Sequence, residues 1–172
     1  ALASAVALQA IAGEFDVEAD ILYFGGLGHQ ENRAFVNLLG IDLVEADPDD
    51  LAAYDTVALV DHSQADSEPL ADRTTVDIVL DHRESEASRE ARFVDVRPDM
   101  ASTSTILTKY LQELDVTVDA PVATALLYGI RAETLDFKRE TKPADLTAAA
   151  YLHPFADHDV LEQVESPSMS PE

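Results

Sequence analysis

Thr56-Val57-Ala58-Leu59-Val60-Asp61-His62-Ser63 and Val76-Asp77-Ile78-Val79-Leu80-Asp81-His82-Arg83 decide the fold. Each is a short apolar run, rich in β-branched residues, that stops at an Asp-His pair. Runs of this kind read as buried strands of a parallel sheet. Open α/β sheets hold their ligands outside the carboxyl ends of the strands. Two Asp-His pairs delivered to that edge therefore point to a divalent-metal site, with Asp61 and His82 as the leading ligands. The ordinary alternative makes Asp61 a turn cap and His82 a satisfied, partly buried histidine. The residues alone leave both readings open.

Working outward, strand-like and helix-like segments alternate through the first hundred residues. Residues 2–13 read as a helix and 20–24 as a strand ending at Gly25-Gly26. Residues 30–39 carry apolar positions at helical spacing and stop at Gly40, a C-terminal helix signal. A short strand at 43–45 follows, and Asp47-Pro48-Asp49-Asp50 reads as a turn and helix start. Residues 92–96 suggest a last strand, closed by Pro98. The remainder reads as helical. Ser102 and Thr103 suit an N-cap for 102–114, and Asp119-Ala120-Pro121 opens a second helix running to about 135. Two more helices are expected over 143–152 and 157–164. The alternation predicts an α/β domain over 1–165, a parallel β-sheet flanked by helices with a helical C-terminal part. Residues 166–172, Ser-Pro-Ser-Met-Ser-Pro-Glu, read as a linker or tail.

Composition narrows the class. The chain has 172 residues, 47% of them hydrophobic, enough for one domain with a full core. It has no uncharged apolar run long enough for a transmembrane helix. The apolar start, Ala1 to Leu8, lacks the basic start and cleavage region of a signal peptide, and suggests a helix cut from a longer multidomain protein. The absence of cysteine excludes disulfides and thiolate metal sites and fits a cytoplasmic protein. Thirty-four Asp plus Glu against eleven Lys plus Arg give a formal charge of -23. Self-repulsion on this scale is strong at ordinary salt and is largely removed at 1 M, where the Debye length is about 3 Å. Dispersed acidic residues with few lysines suggest a halophile. Eleven cations cannot form a broad basic face, so nucleic-acid binding through one is disfavoured. A small anionic phosphate substrate, or a short oligonucleotide, fits better.

Taken in order, these segments resemble the Asp-His-His (DHH) phosphoesterase superfamily, in its oligoribonuclease, phosphoadenosine-phosphate phosphatase and exopolyphosphatase-like branch. Ala1-Leu2-Ala3-Ser4 is similar to the helix after that family's first motif, His-x-Asn-x-Asp-x-Asp. Val60-Asp61-His62 matches the second motif and Leu80-Asp81-His82-Arg83 the third. Gly129-Ile130-Arg131-Ala132-Glu133-Thr134-Leu135-Asp136-Phe137 matches the fourth. Gly28-His29-Gln30-Glu31-Asn32-Arg33-Ala34-Phe35 resembles a segment of the oligoribonuclease-like branch. The match spans almost the whole chain.

The resemblance implies a two-metal Mn²⁺ site. In it Asp61 would bridge the ions, His82 would bind one, and Glu133 would take the fourth-motif acid position. Two ions about 3.5–4 Å apart can activate water and stabilise both the attacking and the leaving oxygen of a phosphoryl transfer. Asp81 would lie behind or near His82 and fix its tautomer. Arg83 stands where the family has a second histidine; it keeps a positive charge for phosphate but does not donate a proton at neutral pH. Glu133 stands where the family has aspartate, one methylene longer. The first motif would precede Ala1, and the family's smaller lid domain would follow the Ser/Pro tail.

His29, Asn32 and Arg33 are candidate substrate-phosphate contacts at a helix start. Arg131, beside Glu133, is another, with a surface ion pair as its alternative. Ser102 to Thr105 could cradle a phosphate, although simple capping explains them. His153 and His158 read as structural or solvated. The expected function is Mn²⁺-dependent hydrolysis of phosphate esters or terminal phosphodiesters of nucleotides or short oligonucleotides. Arg83, Glu133 and the missing first motif predict little or no turnover from this polypeptide. The rival is a catalytically degenerate domain that binds a nucleotide or regulates an attached module. A blander interaction domain, and assembly with a second copy of the chain, stay open as well.

Overall fold

β3 (Ala58–Val60), β4 (Ile78–Asp81) and β5 (Phe93–Val96) form a parallel sheet in that spatial order, with Val60 opposite Leu80 and Asp81 opposite Val96. The structure is a computed structural model that describes residues 2–24, 30–61, 76–83 and 91–165, apart from the side chains of residues 30–32 and 48. The Gly25-Gly26 turn, His29, the Ser/Pro tail and the polar stretch between β3 and β4 lie outside the described residues. A second parallel pair joins β1 (Ile21–Tyr23) to β2 (Leu43–Glu45), connected by α2 (Gln30–Leu39). Gly40 ends α2 at φ +63°, the left-handed conformation glycine adopts without a Cβ penalty. A 3₁₀ turn (Pro48–Ala53) follows β2, as the Asp-Pro signal predicts.

α1 (Leu2–Glu14), α3 (Thr103–Glu113), α4 (Ala120–Glu133), α5 (Pro143–Leu152) and α6 (His158–Glu165) complete the fold. Ser102 caps α3, its side chain accepting the Ser104 N–H at 3.1 Å, and Asp119 caps α4 by accepting the Val122 N–H at 3.1 Å. α4 is the central helix and touches α1, α2, α3, α5 and α6. Its small residues make that possible, since Ala123 and Ala125 are completely buried. Gly129 lies closest to its neighbours. A Cβ there would collide with Ser104 Oγ and come within 3.0 Å of the Ala3 side chain. Around this axis Ile106, Leu107, Leu126, Ile130 and Leu152 close the core, and α3 lies over β4. No helix of the described residues is long and apolar enough to cross a membrane.

Two buried polar devices tie the helices down. Asp145, fully buried at the start of α5, accepts the Thr105 hydroxyl at 2.6 Å, the Ala101 N–H at 3.0 Å and the Lys142 N–H at 2.8 Å. One carboxylate thereby satisfies orphan donors at two helix starts. At the sheet edge, Arg97 grips Asp95 through two nitrogens, 2.9 Å each, and Tyr110 donates its hydroxyl to the same carboxylate. Burial and that hydrogen bond push the Tyr110 phenol well above its ordinary value. Burial alone would raise the Asp95 carboxyl, but Arg97 and Tyr110 outweigh it and hold the group low.

Two consequences are measurable. Gly129→Ala is expected to lower stability by about 1–3 kcal/mol through overpacking, and a simultaneous Ser104→Ala to recover part of that loss; denaturant melts of the unsubstituted chain and the two variants check both. A phenol raised in the folded state favours folding fully below its unfolded value of about 10, and that contribution is lost as pH rises beyond it. Thermal melts between pH 8 and 11 should therefore fall more steeply for the unsubstituted chain than for Tyr110→Phe, which starts lower but runs flatter.

Candidate metal and phosphate site

The parallel register of β3 and β4 brings Asp61 and His82 to the same sheet edge. Asp61 extends the β3–β4 ladder by one bond, its N–H donating to the Leu80 carbonyl at 3.0 Å. Asp61 itself adopts φ +60°. Aspartate tolerates this left-handed conformation better than most side chains, but it still costs energy, and such residues cluster at functional sites. Thr103, the first residue of α3, donates its hydroxyl to Asp61 Oδ1 at 3.1 Å. Across the strand ends, His82 Nε2 lies 3.2 Å from the same oxygen and 3.6 Å from Glu133 Oε1.

Asp81 shapes the turn after β4. Its Oδ1 accepts the N–H of His82 at 2.7 Å and of Arg83 at 3.1 Å, which fixes the backbone from which both side chains spring. Its Oδ2 is buried and has no hydrogen-bond partner among the described residues, and the same holds for His82 Nε2, whose approach to Asp61 is close but not aligned. Two orphaned buried polar atoms would each cost about 1–3 kcal/mol unless something binds them. One ligand atom from each of Asp61, Asp81 and His82 lies within 4.8 Å of the others. Two carboxylates and an imidazole form a donor set suited to a divalent ion of the Mn²⁺ to Zn²⁺ series. The residues present therefore fit a metal.

Electrostatics support the same assignment. Burial alone would raise the Asp61 carboxyl, but the neighbouring His82 imidazole is among the groups that more than offset it, so Asp61 sits well below the usual carboxylate range. It is therefore ionised at neutral pH and ready to bind a cation. Beside the cluster lies a cavity of about 150 Å³. Asp61, Ser102, Ser104 and Glu133 line its polar side; Phe35, Tyr128 and Ala132 line the other, together with the start of α1. The Phe35 and Tyr128 rings stack at a 5.0 Å centroid distance.

Of the sequence candidates, Asp61, Asp81, His82, Arg83 and Glu133 come together. Arg83 Nη2 pairs with Glu133 Oε1 at 3.2 Å across fifty residues of sequence. Arg131 points to another set of partners: its Nε is 3.1 Å from Asp136 and 3.0 Å from Glu165 of α6, so it clasps the turn after α4. That turn holds Leu135, Asp136 and Phe137 all at positive φ, between 48° and 64°. Arg33 is exposed on α2; His29 and the Asn32 side chain lie outside the described residues. His153 and His158 pack ring against ring, 4.3 Å apart, after α5. The sequence reading missed the cavity wall of Phe35 and Tyr128 and the grip of Thr103 on Asp61. The signals available were a tyrosine directly before the fourth-motif glycine and a hydroxyl run at a helix start.

The fold recurs in solved structures. An exopolyphosphatase-related protein of Bacteroides fragilis superposes on 98% of this chain with a TM-score of 0.75 at 15% identity, and the match covers 53% of that protein. A Methanococcus jannaschii protein assigned as a family II inorganic pyrophosphatase covers 96% of the chain with a TM-score of 0.67 at 18% identity, over 58% of its own length. At these identities the likeness establishes a shared fold. In sequence, the chain is 42% identical over all 172 residues to the uncharacterized protein MJ1633 of Methanocaldococcus jannaschii, and spans 36% of that protein's length. No family model matches the chain.

A metal-binding cluster makes a direct prediction. A divalent cation at a hundredfold excess over its Kd should stabilise the chain by about 2.7 kcal/mol, roughly 5 to 10 °C in Tm. His82→Ala and Asp61→Asn should each abolish the shift, which differential scanning fluorimetry with and without a chelator measures.

Proposed function

We propose that this chain is a divalent-metal-dependent phosphoesterase domain of the Asp-His-His type, with Mn²⁺ as its ion. Its substrates would be phosphate esters or terminal phosphodiesters of nucleotides or short oligonucleotides. The observation that carries this reading is the pair of orphaned buried atoms, Asp81 Oδ2 and His82 Nε2, beside an ionised Asp61 at parallel strand ends. The fold shared with an exopolyphosphatase-related protein and an assigned inorganic pyrophosphatase supports it.

Asp61, Asp81 and His82 would hold the ion, with Glu133 within reach of His82. A bound divalent cation supplies Lewis-acid polarisation of a phosphoryl oxygen and activation of water. The chain's own residues do the rest. Thr103 fixes the Asp61 carboxylate, and Asp81 fixes the backbone of His82 and Arg83. Arg83, largely exposed, offers a planar guanidinium to the substrate phosphate. The tilted aromatic pair of Phe35 and Tyr128 gives the cavity an apolar wall that would suit a base or sugar. Further ligands and a covering domain would come from parts of a longer protein, since the chain spans about a third of the curated relative and little more than half of the structural neighbours.

The rival reading is a nucleotide-binding or regulatory domain with a degenerate site. The observation that favours it is Glu133, paired with Arg83. An assay of 5′-phosphorylated dinucleotides with Mn²⁺ separates the two. A longer protein containing this chain is expected to release mononucleotides, and to lose at least about 100-fold in kcat in Asp61→Asn. This chain alone is expected to turn over little; robust hydrolysis by it would refute that. Nucleotide binding by the chain without any metal dependence would establish the rival.

A further inference from the structure

We propose that Arg83 and Glu133 form an exchangeable latch that couples phosphate binding to cation binding, a regulation that rests on the metal-site reading above. One carboxylate oxygen, Glu133 Oε1, stands between two basic groups of different mobility. His82 Nε2, 3.6 Å away, is buried, and its neighbouring backbone N–H is fixed by Asp81. Arg83 Nη2, 3.2 Å away, sits at the tip of a side chain that is 57% exposed. The Arg83 backbone is anchored by its own N–H to Asp81 Oδ1, so only its side chain is free to swing. Glu133 is itself one-third exposed, at the last turn of α4 and on the wall of the cavity.

Competition follows from this geometry. While Arg83 holds Glu133, the charge of the carboxylate is partly offset and its Oε1 is engaged by Arg83 and His82, so it competes poorly for a cation. A phosphate bound beside Glu133 offers the guanidinium a better partner, since the planar fork matches phosphate oxygens in a bidentate manner. Arg83 then releases Glu133, which joins the cation-binding set. Linkage makes the effect reciprocal: a cation that draws Glu133 away leaves Arg83 open to phosphate. A histidine at position 83, as in the Asp-His-His motif, could not make this fork. Because the pair is exposed, its strength limits the coupling to about five-fold.

Calorimetric titration of Mn²⁺ into the 172-residue chain, alone and with saturating methylphosphonate, tests the latch. The phosphonate is expected to tighten Mn²⁺ about three- to five-fold. Arg83→Met should tighten Mn²⁺ in its absence by a similar factor and abolish the response to it. Removing a positive charge would also attract a cation without any latch, so the comparison is repeated in Glu133→Gln. There the latch predicts that the tightening by Arg83→Met shrinks to the part that the lost charge alone produces. Equal tightening in both backgrounds, or a phosphonate response that survives without Arg83, would overturn the proposal. A chain that binds no Mn²⁺, and that is indifferent to His82→Ala, would overturn the metal-site reading along with it; a chain that binds Mn²⁺ without coupling would overturn the latch alone.

Discussion

The parallel pairing of β3 and β4 is the constraint on which the site depends. Because Val60 lies opposite Leu80, the next residue of β3 and the residues after β4 emerge side by side at the carboxyl edge. A shift of one residue in this register would turn the apolar faces outward as well as separate Asp61 from His82. Core burial therefore enforces the geometry of the site: Val79 and Leu80 are almost fully buried, and they cannot slip without exposing themselves. The hydrophobic effect fixes the register, and the register delivers the ligands.

The second side of the site is built by helices. α4 comes close to α1 and α3 because it presents alanines and Gly129 where they cross. That approach sets Glu133, at the end of α4, against the strand ends, and sets Thr103, at the start of α3, against Asp61. The cost is that position 129 has no room for a Cβ beside Ser104, and that three left-handed residues form the turn after α4. Arg131 holds that turn through Asp136 and Glu165. Buried carboxylates do related work elsewhere, Asp145 joining two helix starts and Asp95 joining the edge strand to α3. Part of the chain's acidity is thus structural, held in internal hydrogen bonds.

The strands, the helices and their order were legible because their signals are local. Alternation of short apolar runs with 3.6-residue periodicity, Gly40 after α2, Ser102 before α3 and Asp119-Ala120-Pro121 before α4 each specify a boundary within a few residues. The placing of Asp61 and His82 at neighbouring strand ends was legible for the same reason, since both follow directly from where a strand stops. Sheet membership was less so. β1 and β2 pair with each other, apart from the three-stranded sheet, and nothing in their sequences distinguishes that pairing.

The sequence by itself determined an α/β chain with two Asp-His pairs at strand ends, a helical C-terminal half and a strongly acidic balance. Only the tertiary structure decided which distant side chains meet them. Glu133 reaches Arg83 and His82, Thr103 reaches Asp61, and Arg131, two residues from Glu133, faces Glu165 on α6. Spacing along a helix tells which residues share a face, but the direction that face takes is set by packing. Here it was set by how closely α4 could approach α1 and α3, a property of side-chain volumes summed over several elements.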